Sequence, residues 1–157
     1  MSRETLERDI ASGALLVLDS SVVLAYLGGG EPTSPAAINV VDGLVRPGRN
    51  RAVVSAVTVT ETLVRPFRAG SSALVSAVDD FLLHFPNLSV LPADYEVARE
   101  AARVRGLTRL RTPDALVIAT AVVSGAAMVV GNDERWRSAV ETLGRPFGLS
   151  LLGDHLD

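Results

Sequence analysis

The stretch TPDALVIATAVVSGAAMVVGND, residues 112–133, decides how this chain is read. Asp114 and Asp133 bracket it, and no charged side chain lies between them. So apolar a run belongs in the interior, which is an odd neighbourhood for two carboxylates. Thr112 suits a helix N-cap, Pro113 the first helical position, where its missing N–H costs nothing, and Asp114 the first turn beside the positive end of the macrodipole. The pattern predicts a helix running to Val123 and stopped by Ser124 and Gly125, followed by a short buried strand over Ala127 to Val130. Asp133 then falls just past the strand. A membrane span fits poorly: Ser124 and Gly125 interrupt the run, no basic cluster flanks it, and it is marginal beside the roughly 20 residues a span needs. Taken singly, either aspartate is an ordinary helix-start or loop residue. The rest of the chain gives the pair its meaning.

With 157 residues, 48% of them hydrophobic, the chain fits one domain with a substantial core. It has no cysteine and two histidines, His84 and His155, so disulfides, thiolate metal sites and an ordinary zinc site are excluded; any metal is held by oxygen. Residues 2–13 are polar and lack the apolar core of a secretory signal, which points to a soluble cytoplasmic protein. A net charge of −3 gives no global attraction to nucleic acid or anionic membrane. The basic residues are all arginine. Receiver domains and haloacid-dehalogenase-like phosphatases also place an Asp at a strand end, but they rely on a lysine that this chain lacks.

Ser2 to Ala11 reads as a short amphipathic helix with no visible chemistry, an appendage. Leu15 to Leu18 is a strand ending in Asp19, followed by Ser20 and Ser21, a helix over Val22 to Leu27, and a break at Gly28–Gly30. Strand, Asp, turn and helix open a parallel α/β unit. Ala36 to Val45 is expected to be a helix and Ala52 to Val54 a strand, with Ser55 capping a helix that carries Glu61 and is disturbed at Pro66. Glu61 is the one acid in a long apolar and hydroxylic stretch, which places it among core-facing neighbours rather than in solvent. A helix over Ser71 to Phe85, a strand over Leu88 to Leu91 and a helix from Asp94 to Arg105 follow, the last with Tyr95, Ala98, Ala102 and Val104 on its packed side. After Asp133 come a helix over Glu134 to Leu143, containing Trp136, and a strand over Leu149 to Leu152. This alternation predicts a three-layer α/β/α fold with a mostly parallel central sheet. In such sheets function gathers at the carboxyl ends of the strands, where Asp19 and Asp133 both fall.

The candidates are therefore Asp19, Glu61, Asp114 and Asp133. Two carboxylates about 6 Å apart repel by roughly 3 kcal/mol at an effective dielectric of 20, so crowding them needs raised pKa values or a bound divalent cation. An all-oxygen set suits magnesium or manganese, which would polarise a phosphate and activate water against a phosphodiester.

Four segments, LLVLDSSVVLAYL, SAVTVTETLVRP, TPDALVIATA and VVGNDERW, resemble the successive motifs of PIN-domain nucleases, most closely those of VapC-type toxins. The resemblance runs in order from about Leu15 to Leu152. It implies a PIN-like nuclease domain over 14–157 after an N-terminal extension over 1–13. It further implies that Asp19, Glu61, Asp114 and Asp133 form a pocket binding Mg²⁺ or Mn²⁺, with Asp19 and Asp114 the firmest ligands. Ser20 and Asn132 would lie beside the pocket, and Thr112 would cap the Asp114 helix or hydrogen-bond a carboxylate. By the same resemblance the protein is a ribonuclease acting on structured RNA, a homodimer, and the target of a small antitoxin. In two places the chain departs from the family: Gly131 stands where relatives often carry threonine or serine, and Trp136 where phenylalanine is common.

Arg65, Arg68, Arg109 and Arg111 flank the motifs and would grip RNA phosphates bidentately, unless they are solvated or pair with the acids. Two other functions fit the same residues: an RNA-processing nuclease without an antitoxin, and a non-catalytic module that binds RNA or protein. The four acids together argue against the second.

Overall fold

The protein is described by a computed structural model over residues 3–156. Ser2, the expected start of the first helix, lies outside them. Five short strands, β1 (Leu16–Leu18), β2 (Ala52–Ser55), β3 (Leu88–Leu91), β4 (Met128–Gly131) and β5 (Gly148–Leu151), form one sheet in the order β3-β2-β1-β4-β5 with every pairing parallel. The helices are α1 (Arg3–Asp9), α2 (Ser20–Gly28), α3 (Ser34–Val40), α4 (Ala56–Arg68), α5 (Ser72–His84), α6 (Tyr95–Leu107), α7 (Thr112–Ser124) and α8 (Arg135–Thr142).

Strand alternation divides the core in two. Leu16, Leu18, Ala52, Val54 and Val130 point to the side of α1, α2, α3 and α5; Val17, Val53 and Val129 point to the side of α6, α7 and α8. The result is the expected three-layer α/β/α arrangement. Because the chain builds outward from β1 to β3 and then returns to place β4 on the other side of β1, the order reverses between β1 and β4. A crevice opens at such a reversal, beyond the carboxyl ends of the strands. Asp19 follows β1 and Asp133 follows β4, so both reach it.

Several elements differ from the sequence expectation. The helix expected over Ala36 to Val45 is α-helical only to Val40; Val41–Val45 widens into a π turn, with the Arg46 N–H donating to Val41 O at 2.8 Å. Helix α4 runs through Pro66 to Arg68, since a proline two residues before a helix end removes a single N–H. The packed face of α6 is Val97, Ala101 and Val104, at i, i+4 and i+7; Tyr95 is 82% exposed, and Ala98 and Ala102 face solvent. The N-terminal helix is no loose appendage: Leu6 and Ile10 are fully buried in the core, Arg49 donates to Ile10 O and Glu7 O at 2.8 Å, and the buried Asn50 amide holds Ala11 O and Ala14 O at 2.9 Å. Among the described residues no helix is long and apolar enough to cross a membrane.

Candidate active site

Asp19 ends β1 and caps α2. Its backbone is extended (φ −76°, ψ 162°), its N–H donates to Val130 O on β4, and its Oδ2 accepts from Ser21 N at 3.3 Å and Ser21 Oγ at 2.8 Å. The hydroxyl bonded to the acid is that of Ser21, because an N-cap side chain reaches forward to the second residue of the helix, while Ser20 follows Asp19 directly as the first. Burial is the largest influence on the Asp19 carboxyl and raises its pKa above the ordinary value; the Ser21 bonds and the Ser20 and Ser21 amides oppose this, and the Glu61 charge adds to it. Glu61 is thus close enough for its charge to act on Asp19, but its side chain stands in solvent, not among core neighbours.

Asp114 sits in the first turn of α7, as expected, but Thr112 does not cap it. The N-cap is Arg111, which leaves Thr112 and Pro113 as the first two helical residues, with no side-chain cap bond. The cap moves because Pro113 is tolerated anywhere in the first turn, where N–H groups lack partners in any case. Asp114 is 16% exposed, and its Oδ2 is buried without a hydrogen bond; the nearest cation, Arg111 Nε, is 3.7 Å away.

Asp133 lies just before Glu134, the N-cap of α8, and is grasped by Arg135. The Arg135 N–H donates to Oδ1 at 2.9 Å, its Nε lies 3.0 and 3.1 Å from the two oxygens, and Nη2 donates to Oδ2. These bonds hold the Asp133 pKa below the usual carboxylate value, with a smaller contribution from the Arg111 charge. Asn132 turns elsewhere: its Oδ1 accepts from Gly153 N at 2.9 Å and ties down the turn after β5.

Gly131 connects the two halves of the site. A Cβ there would lie 3.5 Å from Asp19 Cβ and 3.1 Å from Trp136 Cζ3. The two departures from the family pattern are therefore linked, since the missing side chain at 131 makes room for the larger ring at 136.

A PIN domain family model matches residues 16–141. The chain belongs to the PIN domain family. Among curated proteins no sequence matches it. Solved structures similar to this PIN domain include VapBC2 from Rickettsia felis bound to a DNA fragment from its promoter (13% identity, TM-score 0.66, covering 87% of this chain and 98% of that one). FitAcB from Neisseria gonorrhoeae is also similar (19% identity, TM-score 0.65, 85% and 95% covered), as is Mycobacterium tuberculosis VapC20, a sarcin-ricin loop cleaving toxin (15% identity, TM-score 0.65, 79% and 94% covered). At these identities the likeness is one of fold.

In this PIN domain the four acids reach one edge of the sheet as two pairs, Asp19 with Glu61 and Asp114 with Asp133, the second pair sharing the charges of Arg111 and Arg135. They do not close on a point: among the described residues no group of three or more His, Asp or Glu is drawn together tightly enough to hold a metal. Arg135 occupies Asp133, and Glu61 stands in solvent. The donor chemistry nonetheless fits a hard divalent cation, because Asp114 leaves a buried carboxylate oxygen with no hydrogen-bond partner, and such atoms are rare unless something else occupies them.

The flanking arginines separate. Arg111 faces the acids. Arg65 and Arg68 lie exposed on the last turn of α4. Arg109 lines a cleft of about 480 Å³ between the loop before α7 and helix α8, together with Thr108, Arg135, Ser138 and Thr142. Ser21, Arg135 and this cleft were not identified from the sequence.

Proposed function

We propose that this PIN domain is a Mg²⁺- or Mn²⁺-dependent endoribonuclease and the toxin of a VapBC-type toxin–antitoxin pair. The observation that carries the nuclease reading is the buried Asp114 Oδ2 without a hydrogen bond, in an acid pair with Asp133 that shares the charges of Arg111 and Arg135. Asp19 and Asp114 would hold the cation, with Glu61 and Asp133 completing its surroundings directly or through water. When bound, such a cation polarises the scissile phosphate and lowers the pKa of an attacking water. The chain's own residues do the rest. Ser21 fixes the Asp19 rotamer, the buried face of α7 anchors Asp114, and Arg109, Arg65 and Arg68 supply the positive charge that an acidic protein needs to hold an RNA backbone. Asn132 steadies the turn after β5 by accepting from Gly153 N.

The toxin assignment is supported by the family and by the similarity in fold to VapBC2 and to the toxin VapC20.

The test is cleavage of total cellular RNA by the purified chain, with Mg²⁺ or Mn²⁺ against EDTA, beside Asp114→Asn. Discrete fragments that need both metal and Asp114 are expected. Inhibitor-free, folded protein that neither cleaves RNA nor melts higher with Mn²⁺ would overturn the nuclease and favour a binding module. Cleavage by a chain with no small acidic-site inhibitor encoded beside it would keep the nuclease and remove the toxin.

A further inference from the structure

Asp133 is held by a group for which a phosphate competes. While Arg135 lies across both of its oxygens, Asp133 has none to give a cation. The clamp is weakly seated. The Arg135 side chain is 60% exposed and that of Asp133 26%, and ion pairs open to water exchange readily. The same guanidinium lines the cleft beside the site, which contains Arg109, Thr108, Ser138 and Thr142 and none of the four acids. Arg109 makes no ion pair among the described residues, so an anion entering the cleft meets one uncommitted guanidinium and a second within a side-chain rotation. A planar fork fits a phosphate as well as a carboxylate.

We infer that Arg135 is an exchangeable clamp: it closes Asp133 in the RNA-free protein and turns into the cleft onto a backbone phosphate flanking the scissile bond, so that RNA binding frees Asp133 to complete the acidic site. This rests on the metal-dependent ribonuclease reading. Arg135 is then a positioning residue, and metal and RNA bind cooperatively because one arginine cannot serve both anions.

The experiment titrates Mn²⁺ into RNA-free wild type, Arg135→Gln, Arg135→Lys and Asp114→Asn by calorimetry, and measures binding of a labelled single-stranded RNA in EDTA by fluorescence anisotropy. Both Arg135 variants should bind Mn²⁺ about two- to fivefold tighter than wild type, the range an exposed ion pair of this kind spans. Lysine belongs with glutamine here because it keeps the charge but not the fork. Arg135→Gln should also bind RNA several-fold more weakly with a shallower salt dependence. If Arg135→Lys matches wild type while Arg135→Gln binds Mn²⁺ tighter, charge alone is at work and the clamp is overturned. Unchanged RNA affinity in Arg135→Gln overturns it too. Mn²⁺ binding that persists in Asp114→Asn, or is absent from wild type and both Arg135 variants, sinks the metal-site reading itself and the clamp with it.

Discussion

Replacing Gly131 by alanine tests whether residues 131 and 136 are one packing unit under the acidic site. The new methyl carbon would lie 3.1 Å from Trp136 Cζ3 and 3.5 Å from both Trp136 Cε3 and Asp19 Cβ. Carbon atoms pack best at about 3.5–4.0 Å, so the indole must retreat by roughly 0.4 Å. It has little room to do so, being 1% exposed among the residues that α7, α8 and β4 contribute to the core. Overpacking of this kind costs about 1–3 kcal/mol, and a single methyl belongs to the lower half of that range. Trp136→Phe removes the crowded edge of the ring and also an indole N–H that is buried without a partner, so part of its cavity cost is recovered. The double variant should therefore be more stable than the sum of the single changes by about 1–2 kcal/mol. Urea unfolding followed by far-ultraviolet circular dichroism measures all four proteins, since Trp136→Phe deletes the chain's single tryptophan and with it the fluorescence signal. Additivity within about 0.5 kcal/mol, or a neutral Gly131→Ala, would refute the coupling.

Asp114→Asn should melt no lower than wild type in EDTA, and up to about 4 °C higher. The ion pair it loses is long, with an exposed Arg111 that contributes at most about 1 kcal/mol, whereas a buried carboxylate oxygen without a partner costs about 1–3 kcal/mol. It should also lose most of the stabilisation that Mn²⁺ gives; a marked drop in metal-free melting temperature would instead make Asp114 a structural residue. His155 carries a pH dependence unrelated to the site. Its ring is 2.9 Å from Ser150 Oγ, and burial holds its pKa below the usual imidazole value against the pull of Asp154 and Asp9. A depressed folded pKa means that the unfolded chain takes up the proton first, so this stability is present above about pH 6.5 and lost as the pH falls through the folded value. Wild type should lose more melting temperature than His155→Gln between about pH 7.5 and about pH 5.5, and equal losses would remove His155 as the cause.

What the sequence made legible was local. Asp19 and Asp133 could be placed at strand ends because apolar β-branched runs stop at them, and Asp114 in a first turn because Pro113 precedes it and Gly125 ends the helix. The cap of α7 falls on Arg111 rather than Thr112, because a proline in the first turn is compatible with either register and the local pattern does not choose between them. The face of α6 was misread because Tyr95 outweighs Val97 in bulk, although Val97, Ala101 and Val104 carry the helical period. The roles of Leu6, Ile10 and Asn50 depend on partners some 40 residues away in sequence, which no local pattern encodes. Arg135 looked like one more surface arginine because a fork onto a residue two positions earlier leaves no periodic trace. Of the two partners open to Arg111, RNA or the acids, it takes the acids, lying three residues from Asp114, a spacing at which opposite charges meet.

The repulsion expected among four crowded acids is met in four different ways, and the differences give an order of engagement. Asp19 is half-buried and hydrogen-bonded by Ser21, with its pKa raised; Glu61 stays in water; Asp133 takes the whole of the Arg135 fork; Asp114 has a buried oxygen with no hydrogen bond and only Arg111, 3.7 Å away, to face it. A cation arriving at this edge of the sheet would therefore gain most at Asp114, where only the exposed Arg111, 3.7 Å from the unbonded oxygen, must yield. At Asp19 it must compete with a proton at acid pH and with the Ser21 hydroxyl at all pH values. It gains least at Asp133 until Arg135 leaves. On the proposed reading, an acidic site assembled in that sequence would be incomplete in the resting protein and would close only when something draws the arginine away, so that a metal is held loosely until the substrate is in place.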